Sequence, residues 1–137
     1  MLSVKPHLVW HTDRIVNSDS VEVKAYVRNN GIGPALITDW TLTLDGAPYK
    51  KPPAMLIPTL VEELIGNVVP THVKHNGTPG INSSMPADAE MVFAHLVFPK
   101  LQKESEVAIG AAFERVDLII HYESFYGEKF TMSTVKP

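Results

Sequence analysis

The chain has 137 residues, with 12 Lys and Arg against 15 Asp and Glu, a net charge of −3 and a pI near 6.0. That length fits one domain, residues 1–137, with room for a full hydrophobic core, and the weak acidity excludes the basic footprint of a nucleic-acid binder. Cysteine is absent, which removes disulfides, thiolate metal sites and cysteine nucleophiles. No apolar run approaches the ~20 residues of a membrane span. Met1-Leu2-Ser3-Val4-Lys5-Pro6 lacks the apolar core of a signal peptide. The expectation is either a complete cytoplasmic protein or the soluble part of a longer one.

Leu8 and Trp10 suggest a short first strand. Val21–Arg28 alternates cleanly, with Val21, Val23, Ala25 and Val27 on one face and Glu22, Lys24, Tyr26 and Arg28 on the other, the period-two pattern of a half-buried strand. Asn29-Asn30-Gly31-Ile32-Gly33-Pro34 reads as a turn, because Gly permits positive φ and Pro removes a donor. The next strand places Leu36, Thr38, Trp40, Leu42 and Leu44 on its apolar face and closes on the tight-turn dipeptide Asp45-Gly46. Thr59 and Glu62 fit a capping box at the head of a short helix with the apolar stripe Leu60, Val61, Leu64 and Ile65, ending near Gly66. Val69–Ala87 is rich in Pro and Gly and reads as loop. Glu90–Phe98 is apolar on both faces, as in a central strand covered on two sides. A second helix is expected from Leu101 to about Glu114, weakened by Gly110. Val116–Ser124 and Lys129–Val135 form a hairpin around Phe125-Tyr126-Gly127-Glu128, with Phe130 and Met132 inward. Strands at both ends with inserted helices predict an all-β, Ig-like antiparallel β-sandwich of about seven strands with one or two short helices, and Trp40 sealed between its sheets.

The block Val23-Lys24-Ala25-Tyr26-Val27-Arg28-Asn29-Asn30-Gly31-Ile32-Gly33-Pro34-Ala35, followed by a strand closing on Asp45-Gly46, resembles a bacterial β-sandwich pattern of the Asn-x-Gly-x-Gly-Pro-Ala type. Tyr122-Glu123-Ser124-Phe125-Tyr126-Gly127-Glu128 is similar to the Tyr-x-x-x-Tyr-Gly hairpin at the other end of such chains. The two blocks resemble envelope-associated Ig-like domains of uncharacterised function, and the first block loosely resembles the cell-adhesion-related bacterial domains. The resemblance implies a periplasmic or cell-envelope location, with the membrane reached only through a segment absent from this chain; a cytoplasmic location is the alternative. It supplies no catalytic residues.

The side chains themselves point weakly to chemistry. Of six histidines, His72 and His75 are three apart in a loop-rich stretch and are the weak candidates for a metal site, neutral imidazole being a good ligand. His7 and His11 on one strand face stand ~13 Å apart, too far for one ion. Ser83 and Ser84 lack the Gly-x-Ser-x-Gly elbow of a serine hydrolase, and Gly31-Ile32-Gly33 runs into Pro34 rather than opening a phosphate-binding helix. Tyr26, Tyr49, Tyr122 and Tyr126 are the candidate binding residues, as an exposed aromatic platform for a sugar or peptide. The expectation is no enzyme, no catalytic residue, no cofactor and no nucleic-acid partner. The protein reads as a binding or assembly module that meets a protein partner, or a second copy, through an edge strand or the Gly77–Ala87 loop. The alternative is a small-molecule or carbohydrate binder, which needs a concave, aromatic-lined pocket.

Overall fold

Alternating side chains turn half the molecule into strands, and every strand pairing is antiparallel. The computed structural model describes residues 4–66, 71–100 and 103–134. Along these run β1 (Leu8–Val16), β2 (Ser20–Asn29), β3 (Ala35–Leu44), β4 (Ala47–Pro48), α1 (Pro53–Ile65), β5 (His72–Asn76), β6 (Ser84–Met85), β7 (Glu90–Pro99), α2 (Lys103–Phe113), β8 (Val116–Glu123) and β9 (Lys129–Ser133). One sheet has the order β1-β2-β7-β5, the other β4-β3-β8-β9, with β6 added to the start of β3. Apolar side chains of both sheets and both helices meet in one core, as in a β-sandwich. The predicted Val69, Pro70, Leu101 and Val135 positions lie outside the described residues.

The hairpin expectations hold. Asp45 and Gly46 both take positive φ, 54° and 84°, which a two-residue type I′ turn demands. In the β8–β9 turn Gly127 has φ 80°, and the buried Ser124 hydroxyl accepts hydrogen bonds from Tyr126 N and Glu128 N, both 3.2 Å.

Three expectations are corrected. First, β3 carries a bulge between Ile37 and Asp39. A bulge inserts one residue and so exchanges the faces of the strand beyond it. The inward set is therefore Ala35 and Ile37, then Trp40, Leu42 and Leu44, not Leu36 and Thr38. Trp40 packs against the core but stays half-buried rather than sealed. Second, α1 begins at Pro53, well before Thr59, so Thr59 and Glu62 form no capping box. Proline is preorganised for a first helical turn. The stripe then reads Leu56, Ile57, Leu60, Val61, Leu64 and Ile65, all buried, while Pro58 faces solvent. Each such side chain contributes about 1.5–3 kcal/mol on burial, enough together to offset the backbone bond that Pro58 cannot make. Third, β7 is central, between β2 and β5, but only partly covered on its outer face, where Val92, His95 and Val97 remain half-exposed.

The two ends of the sandwich are built differently. At the end where β2 leaves and β3 begins, Asn29 is completely buried. Its Oδ1 accepts from His7 N and Gly31 N, both 3.0 Å, and its Nδ2 donates to Gly33 O (2.9 Å) and Met85 O (3.0 Å). Close by, the buried Tyr122 hydroxyl accepts from Leu8 N at 3.2 Å, tying β1 of one sheet to β8 of the other. Gly31 and Gly33 keep negative φ, so the turn argument for them does not apply; glycine is needed for space. A Cβ on Gly31 would stand 2.3 Å from Lys5 O and one on Gly33 2.4 Å from Val4 O, because residues Val4–His7 cross directly over this turn. At the opposite end, where β7 runs out and β8 starts, the helices sit and the layers do not close.

Candidate functional site

The inward alternation of β1 runs Leu8, Trp10, Thr12, Arg14, and only Leu8 is buried. A polar pair on an inner face marks a place where the facing layer fails to meet the strand. There the sheets part around a cavity of about 820 Å³, within the roughly 300–1,000 Å³ typical of small-molecule sites. Its floor is apolar and buried: Leu42 of β3, Phe93 and Leu96 of β7, Leu118 of β8, and Ile57 and Leu60 of α1. Its walls are Trp10, Val23, Ala25, Phe113 and Val116, each half-buried. The Trp10 ring meets Phe93 edge-on, centroids 5.7 Å apart. Half-wet aromatic and branched side chains are costly to leave against water, so a ligand filling the space would regain that area.

The mouth is polar. Thr12, Glu114 and Ser133 line the cavity and are exposed, so they mark where it opens. Helix α2 flanks this opening, held by few groups: Ile109 and Ala112 are its buried apolar side chains, and Arg14 of β1 makes an exposed ion pair with Glu106, a kind of contact worth under about 1 kcal/mol. Gly110, at the cavity wall, has no atom within 4 Å of where a Cβ would stand.

No known protein family matches the sequence, and no curated protein or solved structure matches it either.

The four tyrosines do not form a platform. Tyr122 is in the core, stacked on Phe130 at 5.4 Å. Tyr26 lies on the outer face of its sheet, as the alternation requires, but is covered by the His11 ring at 5.2 Å and by Lys24 Nζ, 4.7 Å above it. Tyr126 is exposed in the β8–β9 turn. Tyr49, after β4, donates to Glu63 Oε2 of α1 at 2.9 Å. Burial, that hydrogen bond and the Glu63 charge push its phenol up to about 12. A raised phenol contributes stability that is full below the ordinary value near 10 and is lost as pH rises through the folded value. We expect Tyr49 to ionise near pH 12 in an ultraviolet phenolate titration. The stability lost between pH 10 and 12 should shrink in Tyr49→Phe, and an unchanged alkaline limb in that variant would refute the assignment.

The histidines are also dispersed. His72 pairs with Val97, and His75 with His95, across β5 and β7. The rings that approach are His75 and His95, centroids 6.0 Å apart, not His72 and His75. His95 Nε2 sits 2.9 Å from Glu22 Oε1. Asn17, which donates to Glu22 Oε2 at 2.9 Å, and then His95 hold the Glu22 carboxyl below its usual range, against the opposing effect of burial, with help from Lys74. Among the described residues no three His, Asp or Glu side chains are placed to hold a metal. No histidine lines the cavity, and the Ser83 hydroxyl donates to Gly80 O within its own loop.

Trp10, Phe93 and Phe113 are the residues that reading the sequence missed. The signal was present: Thr12 and Arg14 follow Trp10 at inward positions, where a closed sandwich would place apolar groups.

Proposed function

We propose that the protein is a non-catalytic binding module, an Ig-like domain that takes up an apolar small molecule between its sheets. The cavity beside Trp10 is the observation that carries this reading. A pocket of that size, floored by apolar side chains and with polar groups at its mouth, is what a ligand binder needs and an edge-strand partner does not. Its aromatic groups are Trp10, Phe93 and Phe113 in place of the expected tyrosines. The strand order supports the Ig-like assignment: β1-β2-β7-β5 corresponds to an A-B-E-D sheet and β3-β8-β9 to C-F-G, with β4 beside C. The envelope location implied by the resemblance belongs to this proposal. No helix among the described residues is long and apolar enough to cross a membrane.

The test is uptake of phenylnaphthylamine, a dye that brightens in apolar surroundings. The folded wild type should bind one equivalent. Ala25→Phe and, independently, Val23→Phe should place a ring inside the space, weaken uptake at least ten-fold and leave the melting temperature equal or higher, since partly filling a cavity typically adds about 0.5–2 kcal/mol. Phe125→Ser, at the other end of the molecule, should bind as wild type. Undiminished uptake in both filled variants, or its loss in Phe125→Ser, would defeat the proposal.

A second reading, contact with another macromolecule, is favoured by the opposite end. There Ile32 is 75% exposed, Phe125 72% and Tyr126 61%. Lys5 links their two turns, accepting from Ile32 N at 3.2 Å and pairing with Glu128 at 3.6 Å.

A further inference from the structure

We propose that two copies of the chain pair through the outer edge of β1, antiparallel and in a register centred on Thr12. The hydrogen bonds of the β1–β2 hairpin fix which groups that edge offers. Asn17 N donates to Ser20 O and Asn30 N to His7 O, both at 2.8 Å, and the register between them runs without a bulge. Bonding in an antiparallel pair alternates, so the odd residues of β1 bond to β2 and the even ones aim N–H and C=O away from it. Leu8 obeys this rule, its N–H donating to the Tyr122 hydroxyl of the other sheet. Among the described residues β1 is the last strand of its sheet, so Trp10, Thr12, Arg14 and Val16 present the edge. From Thr12 to Val16 every residue is exposed, on both faces alike, including Ile15 at 45% and Val16 at 60%.

The other edges carry features that discourage pairing, and β1 does not. β5 is five residues long, with Lys74 and a bulge at its middle. β4 has two residues, the second Pro48. β9 has five and begins with Lys129. β1 has nine, with no Pro, Lys or Gly and no bulge. Its sequence is also complementary to its own reverse. With Thr12 opposite Thr12 of the second copy, His11 faces Asp13, and Trp10 faces Arg14, a cation beside an aromatic ring. Val9 faces Ile15, and Leu8 faces Val16. Each of these contacts occurs twice, and directly opposed pairs of this kind favour strand pairing. Asp13 also serves the Tyr26 hydroxyl and Arg14 also serves Glu106 within their own chain, but a carboxylate and a guanidinium each have further bonding sites. A slip by one pair in either direction sets His11 against His11 or Asp13 against Asp13, and like charges directly opposed disfavour pairing. A second copy of β1 is therefore the strand that fits.

The chain has no cysteine, so one introduced thiol reports the register. In a hydrogen-bonded pair Thr12 stands ~5.5 Å from its own copy, Cα to Cα, within reach of a disulfide. Arg14 stands ~14 Å from its copy, well beyond that reach. Thr12→Cys should therefore cross-link under copper–phenanthroline at least ten-fold faster than Arg14→Cys. Sedimentation of the wild type should show a monomer–dimer equilibrium within about 1–500 μM. Thr12→Pro removes the central N–H at a position where an edge strand tolerates proline, and should weaken the dimer at least ten-fold. Phe125→Ser, at the other end of the molecule, should sediment as wild type. The amides of Thr12 and Arg14 should exchange freely in dilute protein and slow as the dimer fills. A wild type that stays monomeric across that range, or equal cross-linking of the two cysteine variants, would overturn the proposal. So would a dimer lost in Phe125→Ser and kept in Thr12→Pro. If Thr12→Pro does not fold, the cross-linking ratio decides.

Discussion

Asn29→Ala should destabilise the protein by about 4 kcal/mol in urea unfolding, a large part of the stability of a domain this size. The side chain is fully buried and makes four hydrogen bonds, to His7 N, Gly31 N, Gly33 O and Met85 O. Alanine would leave four backbone groups without a partner, and each such buried group costs about 1–3 kcal/mol. Water entering the vacated space recovers part of the total. Asn29→Asp tests the same point differently. It keeps the acceptor toward His7 and Gly31 but places a second acceptor against the Gly33 and Met85 carbonyls, and should be as damaging at neutral pH as alanine. A loss below about 1 kcal/mol in both variants would show that Asn29 is not the pin we describe.

Gly31→Ala should have the second largest effect, about 3 kcal/mol, at the upper end of what overpacking costs. The added Cβ would lie 2.3 Å from Lys5 O, 2.6 Å from His7 N and 2.7 Å from Pro6 C. All three are backbone atoms and cannot rotate aside. Relief requires moving residues 5–7, and that breaks the bonds from Ile32 N and Gly33 N to Lys5 O and from Asn30 N to His7 O. Gly110→Ala is the matching control. It lies in α2 with open space around it, so it should stabilise by about 1 kcal/mol through helix propensity alone. A Gly31→Ala variant as stable as wild type would mean that Val4–His7 does not cross over the turn.

Much of this architecture can be read from the residues. Val21, Val23, Ala25 and Val27 on β2, and Leu118, Ile120 and Tyr122 on β8, announce their buried face because the pleat has a period of two. Asp45-Gly46 announces its hairpin because few other pairs accept positive φ twice. The bulge after Ile37 was not legible, since nothing in Leu36-Ile37-Thr38-Asp39 distinguishes an extra residue from a continuing strand. The start of α1 was hidden by its prolines: Pro52, Pro53 and Pro58 look like loop until the burial of Leu56 and Ile57 is known. The Asn-x-Gly-x-Gly block was located but misread. Its glycines answer to a chain segment some twenty-five residues upstream, which no local reading supplies. The pocket was the least legible feature: its one sign in the sequence is the polar pair Thr12 and Arg14 at inward positions of β1, while the gap itself is a property of how the layers are spaced.

The contrast between the ends has a consequence for how the molecule comes apart. Asn29 and Tyr122 rivet both layers together at one end, while at the other the layers part and α2 is held, among the described residues, by Ile109, Ala112 and the exposed Arg14–Glu106 pair. Amide hydrogens should therefore exchange with solvent in a graded order, fastest in α2 and the adjoining tip of β1, slowest around the rivet. On the binding function we propose, such a sandwich would work as a tweezer, its arms parting at the tips while the hinge stays fast.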